Sequence, residues 1–394
     1  MRKYLLNYVK THSWAYDIYY YIGSFLIRVL GVLTKIDDKS ILFVSFGGKK
    51  LDDSPKAIYE EMLKQEKFKD FKFYWAFVNP EDFEIPKGEK IKIDTFKYYW
   101  VAQKAKFWIT NAAIERGLNF KKKSTFYINT WHGTPLKKIG KDENSISEKS
   151  GLGSKNIATQ DVILAQSEYD AKIFSNIFDL DISKIVMCDL PRNDELTSHT
   201  NEKRVHVRKK IGIGDDKKVI LYAPTYREYE RDEKNNCYLK PPIDFSKWKE
   251  VLGENYIVLF RAHYEVVKVL NINESEFLKN VSNYPNLNEL MIISDMLVSD
   301  YSSIFFDYSI LEKPMYCFGY DLEVYSEKRG LYLDLEKALP CKVSKTEEEL
   351  LNEILNFDYT QGIDKVKQFR KKYAPYAGYA THTVIHLIER RLVK

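Results

Sequence analysis

Histidine, arginine and clustered hydroxyl side chains recur in this chain directly after short apolar runs, where an extended strand would end and a loop begin. The first cluster is Trp131-His132-Gly133-Thr134-Pro135-Leu136-Lys137-Lys138, behind the run TFYINT at 125–130. His132 can take a proton near neutral pH. Gly133 lets the backbone turn tightly and lets a substrate come close. A histidine beside a tryptophan also suits a purely structural role; the short glycine turn and the trailing lysines favour chemistry.

The second cluster is Arg261-Ala262-His263-Tyr264, after YIVLF at 256–260. Residues two apart on an extended chain point the same way. Arg261 and His263 could therefore grip phosphate oxygens together, although a surface pair at a strand end explains the pattern equally well. Third comes Ser299-Asp300-Tyr301-Ser302-Ser303, ahead of the helical run IFFDYSILEK. The hydroxyls of Ser302 and Ser303, with the free N–H groups of a helix start, form a phosphate cradle. The same residue types also cap helices that bind nothing. Asp307, one turn on, suits a substrate hydroxyl, and equally a solvated or a buried structural carboxylate. The fourth, Tyr222-Ala223-Pro224-Thr225-Tyr226-Arg227-Glu228, brings Thr225 to a strand end, where it can meet a nucleotide or its phosphates or simply shape a turn. In Pro191-Arg192-Asn193-Asp194, Arg192 either reaches an anionic ligand or braces a hinge.

Positioning these clusters requires strands alternating with helices, and the hydropathy pattern from Ser40 onward supplies that alternation. Strands are expected at 41–46, 71–78, 106–110, 125–130 and 162–166, and again at 218–224, 256–260, 296–299 and 314–318. Ser54 and Pro55 read as a helix start. Ser167 and Asp170 read as a capping box for a helix reaching about Phe178. Helices are expected at about 302–312, 347–356 and 376–391. A polar stretch at 197–217 marks the change of domain. In open α/β sheets ligands bind beyond the carboxyl ends of the strands, which is where all four clusters fall.

The bulk numbers set the limits. With 394 residues the chain exceeds what one hydrophobic core usually organises. A balance of 61 basic against 56 acidic side chains is no nucleic-acid signature. Four cysteines without CxxC spacing suggest reduced thiols rather than a disulfide framework or a zinc site. P-loop, zincin and α/β-hydrolase signatures are missing, as is any DxD-like triplet at a strand end. No cleavable leader is expected. Residues 4–33 mix Tyr, Trp, Leu and Ile with a few charges, and the longest uncharged run, Ile18 to Ile27, is too short to span a bilayer. A helix lying in the membrane interface and a helix packed on the protein's own core account for it about equally.

Together the segments NTWHGTPLKKIG (129–140), PRNDEL (191–196), LYAPTYRE (221–228), RAHY (261–264), SDYSSIFFDYSILEKP (299–314) and YDLEVYSEKRGLYLD (320–334) resemble the CDP-glycerol glycerophosphotransferase family of teichoic acid assembly. The resemblance spans roughly residues 40–335. It implies a GT-B-like α/β fold with two Rossmann-like domains facing a cleft. The division expected is 1–36 as a short membrane-interface helix, 37–200 as the acceptor-side domain and 201–394 as the CDP-donor-binding domain. It further implies transfer of glycerol phosphate from CDP-glycerol to a lipid-linked saccharide acceptor, by a peripheral protein on the cytoplasmic face of the cell membrane.

By the same resemblance His132 and His263 are the catalytic pair. His132 would act as general base for in-line attack on the donor's β-phosphorus. His263, Arg261 and the Asp300–Ser303 segment, with Asp307, Thr225 and Arg192, would hold the donor phosphates. Gly133, Thr134 and Lys137 would form the acceptor-side loop. No cofactor is obligatory, and Mg²⁺ stays open. Rival readings are a CDP-ribitol or other polyol-phosphate transferase, a catalytically silent membrane scaffold, and a nucleotide-sugar glycosyltransferase or epimerase of the same architecture. Asp189 stands where relatives commonly have glycine, Cys341 replaces the glycine of a Pro-Gly turn, and 360–394 match loosely. A primase or a short-form polymerase is expected rather than a long processive enzyme.

Overall fold

The computed structural model describes residues 12–143, 159–227, 229, 242–262 and 274–392. Contacts divide them into two units. One comprises residues up to His132, Ile139–Asp194 and the chain from Tyr376; the other comprises Gly133–Lys138 and Glu195–Pro375.

The first unit is built on seven parallel strands: β1 (Asp37–Val44), β2 (Lys72–Phe77), β3 (Glu89–Lys92), β4 (Ala105–Thr110), β5 (Phe126–Asn129), β6 (Val162–Ala165) and β7 (Ile185–Met187). Their order is β3-β2-β1-β4-β5-β6-β7. Strand side chains alternate between two cores: Ile41 and Phe43 enter one, Leu42 and Val44 the other. Burial on both faces is what a parallel sheet requires and is why β1 reads as an unbroken apolar run. On one face Phe43, Trp75 and Phe77 stack in series, with ring centroids 5.0 and 5.8 Å apart. On the other Trp108 meets Phe120 and Tyr127 edge-on.

The second unit repeats the plan with β8 (Lys218–Ala223), β9 (Tyr256–Phe260), β10 (Leu278–Asn280), β11 (Met296–Ser299), β12 (Met315–Phe318) and β13 (Val343–Ser344), again all parallel. Its order, β10-β9-β8-β11-β12-β13, is the first unit's order with one strand fewer. Each sheet therefore reverses its winding once, between β1 and β4 and between β8 and β11, and the loops leaving those strands open a crevice.

Several expected elements are found nearly in place. Ser167 caps the helix Glu168–Phe178 by accepting from Asp170 N. The helix starting near Ser54 begins instead at Asp53, with Asp52 in the cap position. The polar stretch 197–217 holds a helix, Asn201–Ile211, capped by the Thr200 hydroxyl; its side chains are too polar overall for an apolar periodicity to reveal it.

The division by contacts also differs from the boundaries at 200 and 201. The helix Ala380–Leu392 places Ala380, Val384, Ile385 and Ile388 in the first unit's core. There the Asp194 carboxylate accepts from Ala380 N at 2.9 Å and Thr381 N at 2.7 Å, supplying the N-cap from far away in sequence.

The N-terminal helix Ser13–Val32 settles onto the first unit by one face. The Tyr16 hydroxyl donates to Gly117 O and the Tyr19 hydroxyl to Arg116 O, at 3.2 and 3.0 Å. Ser24 Oγ accepts from Asn119 N at 2.8 Å. The opposite face leaves Ile18, Tyr21, Ile22, Phe25 and Leu26 each more than half exposed. No helix among the described residues is long and apolar enough to cross a membrane.

Candidate active site

In the first unit the loop leaving β1 turns through three consecutive left-handed residues, Phe46 (φ 46°), Gly47 (62°) and Gly48 (82°). A Cβ on residue 48 would stand 3.0 Å from Ala76 O and 3.2 Å from Phe77 Cα, so only glycine passes here. Phe46 tolerates its conformation because its N–H donates to Asn111 Oδ1 at 2.7 Å. Asn111 is the first residue beyond β4, so this bond ties the two loops flanking the winding reversal.

The main-chain oxygen of Asn111 lies 2.6 Å from His132 Nδ1. A carbonyl only accepts, so Nδ1 carries the proton and Nε2 keeps the lone pair. Burial pushes the His132 imidazole below its ordinary pKa, outweighing the Asn111 carbonyl and the Asp53 charge, which pull it up. The ring is thus a neutral base near pH 7. Trp131, itself left-handed at φ 54°, stacks on it at 4.4 Å and is held by the edges of Phe174 and Phe178. From below, Arg192 Nη1 donates to the His132 carbonyl at 3.0 Å and pairs with the Asp53 carboxylate.

Backbone strain marks the same edge. Seven described residues other than glycine have positive φ. Phe46, Asp94, Arg116 and Trp131 lie in the loops leaving β1, β3, β4 and β5, and Asp53 opens the helix after β1; Asp179 and Glu312 end helices. Arg116 and Asp94 are locked to each other by two bonds of 2.9 and 3.0 Å. Such residues persist only where the surroundings over-determine them, and they gather at functional sites.

In the second unit the corresponding edge is closed by charge. Asp300 Oδ1 accepts from Thr225 N at 2.8 Å, from the Thr225 hydroxyl and from Tyr301 N at 2.7 Å. Its Oδ2 accepts from Arg227 Nη1 at 3.0 Å. Arg227 also grips Asp321 bidentately, at 2.7 and 2.8 Å, and the Tyr301 hydroxyl donates to Asp321 at 2.8 Å. Burial opposes the Arg227 charge, yet the two carboxylates hold the guanidinium firmly protonated. Tyr301, Tyr320 and Tyr325 present ring faces to it at 4.9 to 5.1 Å.

The residues singled out in the sequence divide accordingly. Gly133, Thr134 and Lys137 follow His132 but belong by contact to the second unit. There Lys137 pairs with Leu331 in an isolated bridge, and its Nζ lies 5.6 Å from the Tyr325 ring and 6.0 Å from Tyr226. Asp300 and Thr225 meet, as parts of the buried hub. Arg192 supports the His132 backbone, the bracing alternative. Arg261 Nη1 binds Tyr284 O at 2.7 Å and Val281 O at 3.3 Å, so it anchors the loop after β10. Ser302 and Ser303 are partly exposed ahead of the short helix Ile304–Ser309; Asp307 within it is buried, which excludes a solvated carboxylate. His263 lies outside the described residues. Asp189 is buried and accepts from Gln166 Nε2, Leu190 N and Asn193 Nδ2, organising the turn before Asp194.

Asn111, Phe46, Asp53, Arg227 and Asp321 were not singled out as site residues. The pair Gly47-Gly48 after the first strand was the available signal for the first loop. Asp53 stands directly before the Ser54-Pro55 helix start, which hides it, and no spacing rule links Arg227 to Asp321. Among the described residues no group of three or more His, Cys, Asp or Glu side chains could hold a metal ion.

The model of the CDP-glycerol:poly(glycerophosphate) glycerophosphotransferase family matches residues 26–390. A teichoic acid poly(glycerol phosphate) polymerase of Staphylococcus epidermidis is 35% identical over 83% of this chain, which spans 46% of that relative's length. A teichoic acid glycerol-phosphate transferase of Staphylococcus aureus is 32% identical over 84% of this chain and 87% of its own. Solved structures of the wall teichoic acid polymerase TagF, a His-to-Asn variant and that variant soaked with CDPG, are similar with a TM-score of 0.84 and 33% identity, covering 93% of each chain.

Proposed function

We propose, from the premise that this chain belongs to the CDP-glycerol:poly(glycerophosphate) glycerophosphotransferase family, that it transfers glycerol phosphate from CDP-glycerol to a hydroxyl of a lipid-linked saccharide acceptor and releases CMP, in assembly of teichoic acid or a related surface polymer. The observation that carries the reading is His132: a neutral imidazole with Nδ1 pinned on Asn111 O and Nε2 left as the basic atom. Nε2 takes the acceptor proton while the acceptor oxygen bonds to the β-phosphorus and the bond to CMP breaks. CMP leaves with the electron pair, and the imidazolium later returns its proton to solvent. Positioning and electrostatics dominate such transfers.

In this reading the first unit takes the acceptor and the second the donor. Arg261, Thr225, Ser302, Ser303 and His263 serve the donor phosphates, with Asp300 holding their loops in place; Asp307, a buried carboxylate, takes a structural place instead. Gly133, Thr134 and Lys137 line the acceptor side, and Arg192 fixes the His132 backbone. The exposed apolar face of the helix Ser13–Val32 lies in the interface of the membrane that carries the acceptor, on its cytoplasmic side. Mg²⁺ is compatible with the scheme and is assigned no residue.

The test is CMP release from CDP-glycerol with a lipid-linked disaccharide analogue. Acceptor-dependent release is expected, with His132→Ala and His263→Ala each lowering turnover by at least ~10²-fold, the usual scale for a general base or acid. Release from CDP-ribitol alone would reassign the donor. No release from either would leave a silent scaffold.

A further inference from the structure

Arg116 and Arg227 are each gripped through Nε and Nη2 by one carboxylate, and only Arg227 is fully bonded. Arg227 gives that edge to Asp321 and its Nη1 to Thr225 O and Asp300, and its side chain is 1% exposed. Arg116 gives the same edge to Asp94, at 2.9 and 3.0 Å, and nothing more. A guanidinium holds five N–H donors in a fixed plane. The remaining edge of Arg116, formed by Nη1 and the outer hydrogen of Nη2, has no partner among the described residues. Its side chain is 31% exposed, and Nη1 is open to solvent.

The surroundings show where this edge lies. A Cβ on Gly47 would have only Arg116 Nη1 within 4 Å, at 3.8 Å, so Nη1 stands over the glycine turn leaving β1. Phe46 of that turn faces the His132 ring, with centroids 5.9 Å apart. On its other side the Arg116 carbonyl accepts from the Tyr19 hydroxyl of the N-terminal helix at 3.0 Å. The guanidinium therefore stands between the helix with the exposed apolar face and the base, all within the first unit. A second cation belongs to the same turn: Lys50 Nζ is 5.2 Å from the centre of the Phe46 ring. Both Arg116 and Asp94 have left-handed backbones, at φ 57° and 61°, a strain retained where a side chain must be aimed.

We propose that the open edge of Arg116, over the Gly47 turn, binds the phosphodiester of an acceptor that already carries glycerol phosphate. The proposal rests on the transferase reading and deepens it. A planar fork meets two phosphoryl oxygens at once. Asp94 fixes the plane beforehand, so little freedom is lost when the anion binds. Lys50 offsets the charge that Asp94 brings. Arg116 then holds the polyol phosphate end of the acceptor while its terminal hydroxyl meets His132 Nε2. A bare saccharide gains nothing from this edge, so Arg116 makes the first unit prefer an acceptor that is already primed.

Three probes test this by calorimetric titration: an alkyl disaccharide bearing one glycerol phosphate, whose phosphodiester is its only phosphate, the same alkyl disaccharide without it, and CDP-glycerol. Arg116→Gln should weaken binding of the first at least ~10-fold, the scale of a lost hydrogen bond to a charged group. The bare disaccharide and CDP-glycerol should stay within about twofold. Arg116→Lys keeps a cation for Asp94 but has no second fork, and should recover only part of the loss. Thermal unfolding identifies a variant that fails to fold, in which case the other carries the comparison. Unchanged binding of the phosphate-bearing probe to a folded variant overturns the inference. So does equal weakening of both disaccharides, which would mark a loosened loop, or a wild type that does not distinguish them. Sedimentation with phosphatidylglycerol vesicles free of acceptor should be unaffected; a loss there would put a lipid headgroup on this edge instead. A wild type that binds the phosphate-bearing probe through Arg116 but releases no CMP from CDP-glycerol would sink the transferase reading alone.

Discussion

The two sheets reverse their winding at equivalent places, and the side chains that bridge the reversal differ in kind. Between β1 and β4 the bridge is neutral: the Asn111 carboxamide accepts from Phe46 N–H. Between β8 and β11 it is ionic: Thr225 meets Asp300, which is bound in turn to Arg227 and through it to Asp321. The first unit holds its loops by backbone strain around the imidazole that the proposed transfer would protonate. The second holds three loops by a network whose charges must not change. A neutral bridge can stand beside a titrating imidazole without fixing its charge, whereas a hub of one guanidinium and two carboxylates gives rigidity by keeping every proton where it is.

Breaking the ionic bridge should have the largest effect on stability. Arg227→Ala leaves the buried Asp300 and the partly exposed Asp321 without their cation and should cost about 3–5 kcal/mol, read as a fall in the urea midpoint. Arg227→Lys should recover only part of it, because an ammonium cannot reproduce the bidentate fork. A loss below about 1 kcal/mol, the range of an exposed pair, would mean the hub is not what holds these loops.

The neutral bridge responds instead to pH. Since burial lowers the His132 pKa, kcat/KM should hold as pH falls from 8 and decline only below the ordinary histidine value of about 6.5. The stability sign follows separately. Below that value the unfolded chain binds a proton that the native imidazole resists, so His132 lowers stability as pH drops through this window. His132→Gln should remove this dependence; a profile whose acid limb lies above 6.5 would contradict the burial argument.

The smallest effect should come from the surface that only the first unit carries. Phe25→Ser with Leu26→Ser removes two exposed apolar side chains of the N-terminal helix and should weaken binding to anionic liposomes by roughly 30-fold or more, at about 1–2 kcal/mol per apolar side chain. Turnover on a soluble acceptor should stay within twofold. Unchanged liposome binding would detach the helix from the membrane reading.

Much of this was legible in the residues. The strands showed because parallel strands buried on both faces read as apolar runs, and Ser167 announced its helix because a capping box is local chemistry. His132, Thr225 and Asp300 stood out because polar clusters behind strands are rare without cause. The rest depends on pairs distant in sequence. Nothing near Asn111 reports that Phe46, 65 positions earlier, supplies its partner. Arg227 finds Asp321 94 positions later, and Arg192 finds Asp53 139 positions earlier. The helix Asn201–Ile211 was read as a boundary because its polar faces give hydropathy nothing to follow.

The closure of the first unit by the helix Ala380–Leu392 has a consequence for biosynthesis. Asp194 caps that helix across 186 positions, and at about 5–20 residues per second a ribosome needs roughly 10–40 s to cover the interval. The first sheet can form early, but the apolar face that Val384, Ile385 and Ile388 cover stays bare until the whole second unit has emerged. The nascent chain therefore finishes its second unit before its first.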